Sequence, residues 1–361
     1  MRFCLHGLAT ALVLASCVQA VADPTAEQQY YLELLNRARL DPQAELQRIV
    51  NISASGWGVP ASDDPDVAAS LATYGTSAAE LWSQWASLTA VPALAWSDTL
   101  ATSAQGYSQL MIDADLQAHT LGGGFQSYIT SNGYAGSATL LPIVGQNLYA
   151  TAASTAHAHA SFLIDWGAGP GGIQSGALHR ELALNPYMKE FGVGVITSGI
   201  PGTNVNVMGP QVVSEHFGHM VRIIGSNQFV VDPILTGVVF EDTILSDVFY
   251  TPGEGLDGLS VSVYDDLSNT LLFSGLTNTA GGFNIPLSGV AAGNVLRVEV
   301  PGFDSEIVTI QSQVVNYSDG NNGTVPVLVY DNAYARFVSV PEPSTIMLLL
   351  CAGVLCRRRR K

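Results

Sequence analysis

Asp165 to Val195 reads DWGAGPGGIQSGALHRELALNPYMKEFGVGV, and the fold turns on this stretch. A carboxylate, Asp165, closes an apolar run that reads as a helix. A Gly-rich loop follows, then the pair His179-Arg180, then Asn185-Pro186. Phe191 to Val195, with its Gly-Val-Gly-Val run, reads as a strand. Upstream lie two chemically related pieces, His119 and the tripeptide Gly145-Gln146-Asn147. Any function drawn from this region depends on whether those pieces meet in space.

Working outward, Thr25 and Gln28 form a capping box, and Tyr31, Leu34, Leu35 and Ala38 space one helical face. Asp41-Pro42 restarts the chain as cap and first helical residue, with Glu45 read as completing a second box. Residues 51–75, rich in Ser, Gly, Pro and Asp, read as a loop, and Ala78 to Leu88 as a short helix. Ser97 caps a helix carrying Leu100, Ala104, Tyr107 and Met111, and His119 falls just past its end. Gly145-Gln146-Asn147 is read as preceding a third helix, about Ser154 to Trp166. Asn204 to Met208 and Gln211 to Phe217 read as strands.

In order, the chain offers Asn36-Arg37, Leu94-Ala95-Trp96, His119, Gly133-Tyr134, Gln146-Asn147, Asp165, His179-Arg180 and Gly192-Val193-Gly194. This order resembles the bacterial members of the CAP superfamily, the cysteine-rich secretory, antigen 5 and pathogenesis-related 1 group, over roughly residues 25–220. The resemblance implies an α+β fold, a three-layer α-β-α sandwich of antiparallel strands between helices. It also implies a cleft with two His and two acids, which fall here on His119, Gln146, Asp165 and His179, with Asn147 and Arg180 beside them. Gln146 departs from the pattern: it is neutral and cannot act as a general base. His119, His179 and Asp165 could hold zinc in an open site, and Glu at 146 would strengthen it. The competing reading is that these groups only bond one another. His157 and His159, at i and i+2, face different sides of their helix and read as core or solvated residues.

From Thr236 the composition shifts to Gly, Ser, Thr and Val, with Leu259, Val261, Val263 and then Leu296, Val298, Val300 alternating with polar residues. This module resembles the prealbumin-like β-sandwich of B-type repeats in bacterial adhesins, over about 237–302. The segment 303–338 reads as further strands or a stalk. Asp242, Asp247 and Glu254 resemble a degenerate calcium loop, with Ile244 and Tyr250 where acids are expected; a solvated turn is the other reading. The composition break sets a boundary at Asp232-Pro233. The expected domains are thus 23–233 and 234–338, the second a small all-β sandwich.

The ends carry addresses. Arg2, an apolar run and Ala20-Val21-Ala22 fit a signal peptide over 1–22, while Leu14-Ala15-Ser16-Cys17 fits a lipobox with Cys17 lipidated. Residues 339–361 hold Pro341-Glu342-Pro343, an apolar run Ile346 to Cys356 and a basic tail. This resembles a PEP-CTERM sorting signal, which implies export machinery and an exosortase-type protease as partners; an ordinary tail anchor is the alternative. Eleven apolar residues make a helix of about 16 Å, short against a ~30 Å membrane core, so inner-membrane anchoring would be transient.

Charge excludes one class of partner. The 361 residues include 36 Gly and only 12% charged residues. Between Asp23 and Val340 stand 8 basic and 29 acidic residues, a net of −21. Such a body repels nucleic acid. All four Cys lie at the ends, so the body has no disulfide framework. The expectation is an exported binding protein of the cell surface or extracellular matrix, contacting exopolysaccharide or surface components. The alternative is a metal-assisted hydrolase using His119, His179 and Asp165.

Overall fold

The structure, a computed structural model, describes residues 23–197, 208–226, 228–318 and 323–340. Eight α-helices appear among them: α1 Ala26–Leu40, α2 Pro42–Ile49, α3 Pro65–Tyr74, α4 Ala78–Trp85, α5 Asp98–Ala114, α6 Phe125–Ser131, α7 Thr155–Ile164 and α8 Leu178–Ala183. The strands are β1 Ile52–Ser53, β2 Gly56–Trp57, β3 Ala95–Trp96, β4 Leu140–Ala152, β5 Glu190–Ile196, β6 Gln211–Gly225, β7 Gln228–Val231 and β8 Ile234–Glu241. They continue with β9 Ser260–Asp265, β10 Thr270–Leu276, β11 Gly282–Pro286, β12 Val295–Glu299, β13 Glu306–Thr309, β14 Ser312–Ser318, β15 Thr324–Tyr330 and β16 Ala333–Ser339.

The first unit is α+β, helices on both faces of a sheet. β6 is the spine: β4 runs antiparallel along one side of it and β5 along the other. The alternation in β5 decides the layers. A Cβ on Gly192 would stand 2.0 Å from Ala101 N, and one on Gly194 would stand 2.3 Å from Ala104 C, so α5 lies directly on the backbone of β5. Phe191 and Val193 point the opposite way, where Tyr31 of α1 stacks on Phe191 at 6.2 Å. Residues of β4 and β6 divide likewise. Gln146, Leu148 and His216 face α5, while Asn147, Glu215 and Phe217 face α1, α7 and α8.

The capping box at Thr25 forms as read, and Asp41 caps α2 through Ala44 N. Glu45 does not complete a second box. It is buried and receives Arg37 at 2.6 and 2.9 Å and His159 at 2.9 Å. Burial alone would raise its pKa, but these bonds outweigh it and hold Glu45 at about 2. Residues 51–75 are not all loop: Asp64 caps α3 and Pro65 opens it, the same device as Asp41-Pro42. Gly145 to Asn147 lies inside β4, not ahead of a helix. Asn204 to Val207 falls outside the described residues.

The second unit is an all-β sandwich. One sheet has the order β10-β9-β12-β13 and the other β11-β8-β16. Val261, Val263, Leu296 and Val298 of the first pack against Leu235, Phe283, Ile285 and Phe337 of the second. The boundary at residue 233 does not divide the packing. The hairpin β14–β15 returns to the first unit, where β15 pairs parallel with β7 and Val327 and Val329 join Val221 and Val231 in one core. The chain then crosses back, and β16 pairs with β8. The segment 303–338 therefore supplies strands to both units and forms no stalk.

Asp242, Asp247 and Glu254 do not form a calcium site. Glu254 accepts the N–H groups of Thr243, Ile244, Leu245 and Thr251, Asp242 those of Asp247 and Val248, and Asp247 that of Phe249. The carboxylates shape the loop by satisfying its amides. Among the described residues no three His, Cys, Asp or Glu side chains are placed to hold a metal ion.

Candidate functional site

The site forms along the outer side of β4. His119, just past α5, and His179, on α8, approach from opposite layers and line one cavity of about 470 Å³. Gly145, Gln146 and Asn147 form its floor, and Phe125, Leu178 and Leu182 its apolar walls. A second cavity of about 280 Å³, with Tyr74, Tyr149 and Trp166, shares Gln174 and His179 with the first.

Each imidazole is held from behind. Asp165 is the C-cap of α7 in the left-handed region, φ 60° and ψ 43°, a conformation Asp tolerates better than most residues. From there one of its oxygens lies 2.7 Å from His179 Nδ1 and the other accepts His179 N–H at 3.0 Å. Asp165 is fully buried and does not line the cavity. On the other wall, His119 Nδ1 lies 2.8 Å from Gln146 Oε1. The other end of that carboxamide, Nε2, lies 2.9 Å from His216 Nε2.

That order assigns the protons. Gln146 Nε2 can only donate, so His216 Nε2 accepts and His216 is neutral. Burial agrees, lowering its pKa to about 3. Gln146 Oε1 can only accept, so His119 Nδ1 donates. A Glu at 146 would turn an acceptor toward the lone pair of His216. Gln146→Glu is therefore expected to cost ~1–3 kcal/mol of stability at pH 7, less at pH 4, where His216 protonates more easily. Thermal melts at the two pH values check it; equal or greater stability at pH 7 would contradict this proton assignment.

Asn147 Nδ2 donates to His179 O at 3.1 Å and to Glu215 Oε2 at 2.9 Å, tying α8 to the sheet. Arg180 is the correction. It does not reach the cavity but turns into the helical layer, where Nη1 donates to Leu163 O and Ile164 O at 3.1 and 3.2 Å. It also bonds Gln84 and lies over Trp85. The last carbonyls of α7 need donors, and a guanidinium supplies several at once.

A zinc ion fits this set poorly. Asp165 spends both oxygens on His179, and Gln146 spends both ends on His119 and His216. Only the Nε2 atoms of His119 and His179 stay open, fewer than the three protein ligands an open zinc site uses. His157 and His159 are core residues: His157 stacks on Trp166 and lies 2.9 Å from Ser70 Oγ, and His159 bonds Glu45.

Residues 32–206 match the family model of the cysteine-rich secretory protein family, CAP. This chain carries a CAP domain. Residues 339–361 match the PEP-CTERM protein-sorting motif, which marks the protein for export to the cell surface and for recognition by exosortase-type sorting machinery. No curated protein matches the chain. Similar solved structures include an extracellular protein containing an SCP domain from Bacillus anthracis, at 22% identity and TM-score 0.25 over 35% of this chain and 34% of that one. This match thus spans about a third of that protein's length. An outer surface protein from Borrelia burgdorferi is similar at 15% identity and TM-score 0.24, over 43% of this chain and 92% of that one. BmVAL-1 is similar at 15% identity and TM-score 0.19, over 35% and 58%. No helix among the described residues is long and apolar enough to cross a membrane. The signal peptide, the Cys17 lipobox and the apolar run Ile346 to Cys356 lie outside those residues.

Sequence reasoning missed Phe125, Gln174, Ser175, Leu178 and Leu182 of the first cavity. Leu178 is 66% exposed beside the cavity. Its place directly before His179 was the available signal. His216 lies in the segment 211–217 that reads only as a strand, and the strand register puts it behind Gln146.

Proposed function

We propose that the protein is a surface-displayed binding protein, held at the cell surface or in the extracellular matrix, whose ligand enters the CAP cleft between His119 and His179. The observation that carries this reading is the engagement of Gln146 at both ends. The position where a catalytic acid would stand is a neutral carboxamide locked between two imidazoles. Among the described residues no hydroxyl bonds either His119 or His179, so the cleft holds no Ser-His or Thr-His pair. The second cavity lengthens the cleft, and the polar groups of Gln174 and His179 give it directional contacts.

The test uses mature protein added back to washed cells of the native host. Saturable binding is expected. His119→Ala combined with His179→Ala should weaken it about tenfold, the loss of roughly one well-placed polar contact. Melting temperature should fall as well, because buried Asp165 and Gln146 each lose an imidazole partner, so binding is compared well below both melts. Equal binding by wild type and double variant would overturn the cleft as the site. Intact mass of the recovered native protein should show loss of residues 1–22 and of the basic tail.

A further inference from the structure

The free edge of the central sheet opens into the cleft. Among the described residues β4 pairs with β6 alone, so one side of its backbone has no neighbouring strand there. Unpaired strand edges template further pairing, and proteins normally block them. Most of this edge is blocked. Leu140 exchanges both backbone hydrogen bonds with Ser137, and the Gln117 carboxamide binds Leu148 O at 3.1 Å and Ala150 N at 2.8 Å. The even-numbered residues therefore face outward, and antiparallel alternation adds Pro142, Val144 and Gln146 to that side.

Pro142 has no N–H to offer, the usual way an edge strand carries proline. A Cβ on Gly136 would stand 2.5 Å from Leu140 O and 2.8 Å from Pro142 Cδ, so the preceding loop covers that end. At the far end Gly209 N donates to Ala150 O at 2.8 Å. Between the two covers lie the N–H and C=O of Val144 and Gln146 and the N–H of Leu148. Among the described residues no hydrogen bond reaches them, although little of this edge is open: Val144 is half-buried, and Gln146 and Leu148 are 6% and 1% exposed. Gln146 floors the first cavity and Leu148 lines the second.

We infer that the cleft binds an extended peptide, which adds a strand to β4 between Val144 and Leu148. This rests on the cleft being the binding site. Only a polypeptide presents N–H and C=O groups at the two-residue repeat of a strand, roughly 6.8 Å. The Gln117 carboxamide already supplies one such donor and acceptor pair at the next position, as a partner strand would. Side chains of the incoming strand alternate between faces. One set meets His119 and Phe125, the other His179, Leu178 and Leu182. No Asp, Glu, Lys or Arg lines this cavity, and the body around it carries a net charge of −21. The bound stretch is therefore neutral and apolar at alternate positions, and its flanks are basic. Such pairing is a known mode of peptide capture.

The probe is a random nine-residue peptide library with lysine flanks, panned against the mature chain. A selected peptide is then resynthesised in two forms, each N-methylated at one of the two alternating sets of amides. One form should lose about tenfold or more in affinity and the other little, because only one set faces β4. Val144→Pro removes an outward N–H without touching the ladder to β6 and should weaken binding about tenfold; it also loses packing on Leu100, Ile129 and Tyr134, so binding is read well below its lowered melt. Bound peptide should slow amide exchange at Gln146 and Leu148. Should Val144→Pro fail to fold, the methylated pair still decides. Binding that ignores both methylations but is lost in His179→Ala removes strand addition and leaves the cleft standing. No enriched peptide, with host-cell binding still lost in His179→Ala, also removes strand addition. Peptide binding indifferent to all of these changes removes both readings.

Discussion

Residues 23–233 expressed alone are expected not to fold cooperatively, although the change of composition at residue 233 suggests a domain boundary. The first unit depends on residues far beyond that point. Cutting there strips β15 from β7 and removes Val327 and Val329 from the core they share with Val221 and Val231. It also leaves Lys189 buried without Asp331, which lies 3.4 Å from its ammonium group. Burial already lowers Lys189 to about 8, and an unpaired buried cation costs more still. Asn332 bridges the units. Its Nδ2 donates to Ala93 O at 3.0 Å and Lys189 O at 2.7 Å, while its Oδ1 accepts from Ile234 N at 3.1 Å. Tyr334 OH donates to Glu33 and Asn284 Nδ2 to Trp96 O across the same junction. The mature chain should therefore melt in one calorimetric transition. Asn332→Ala should lower the stability of both units together, by ~1–3 kcal/mol, because Ala93 O and Ile234 N lose this partner and Lys189 O keeps only Ala95 N. Two transitions, or a fragment 23–233 with the near-ultraviolet dichroism of the whole protein, would defeat this expectation.

The contrast shows what local pattern can carry. α1 was legible because a cap and a 3.6-residue apolar stripe coincide in it, α2 from its Asp41-Pro42 start, and α5 from its stripe, since Ser97 stands at its N-cap without a side-chain bond. β5 was legible because its glycines alternate with large residues, and that alternation also places α5 on one face. β4 was not legible. Pro142, Gly145, Gln146 and Asn147 interrupt any apolar alternation, yet an edge strand tolerates all four. α3 was hidden by a Ser- and Asp-rich context, although Asp64-Pro65 repeats the signal that announced α2. The return of β14 and β15 to the first sheet depends on pairing across about a hundred residues, which no window of sequence displays. For the site, the order of motifs singled out His119 and His179, which line one cavity. It could not show that Asp165 and Gln146 are saturated by their neighbours, or that Arg180 turns away. The calcium reading failed for a related reason. Acidic side chains in a tight loop bind its amides as readily as a cation.

The last expectation concerns pH. Melting temperature should be highest on a plateau near about pH 5 to 6.5 and fall on both sides. Burial raises Glu215 to about 8 and Glu33 to about 7, from an ordinary 4.5. Above pH 4.5 the unfolded chain releases these protons while the folded chain keeps them. Unfolding thus becomes easier as pH rises, until each group's folded pKa is passed. His216 and His219 act in the opposite sense. Burial lowers them to about 3 and about 4, so below 6.5 the unfolded chain gains protons that the folded chain refuses, and stability falls with falling pH. Between 4.5 and 6.5 the two carboxyls and the two imidazoles nearly cancel. Below 4.5 Glu45, held at about 2, adds to the acid-side loss. Above 6.5 only the carboxyls remain. At ~1.4 kcal/mol per pH unit per group, they remove roughly 2–3 kcal/mol by pH 8. Glu215→Gln should remove most of that alkaline decline, because the amide oxygen still accepts from Asn147 and no proton is left to lose. Melts from pH 4 to 9 on wild type and variant decide it. A wild-type maximum near pH 8, or a Glu215→Gln curve parallel to wild type, would show that Glu215 is ionised in the folded protein and that the polar layer between Asn147 and α1 carries a charge.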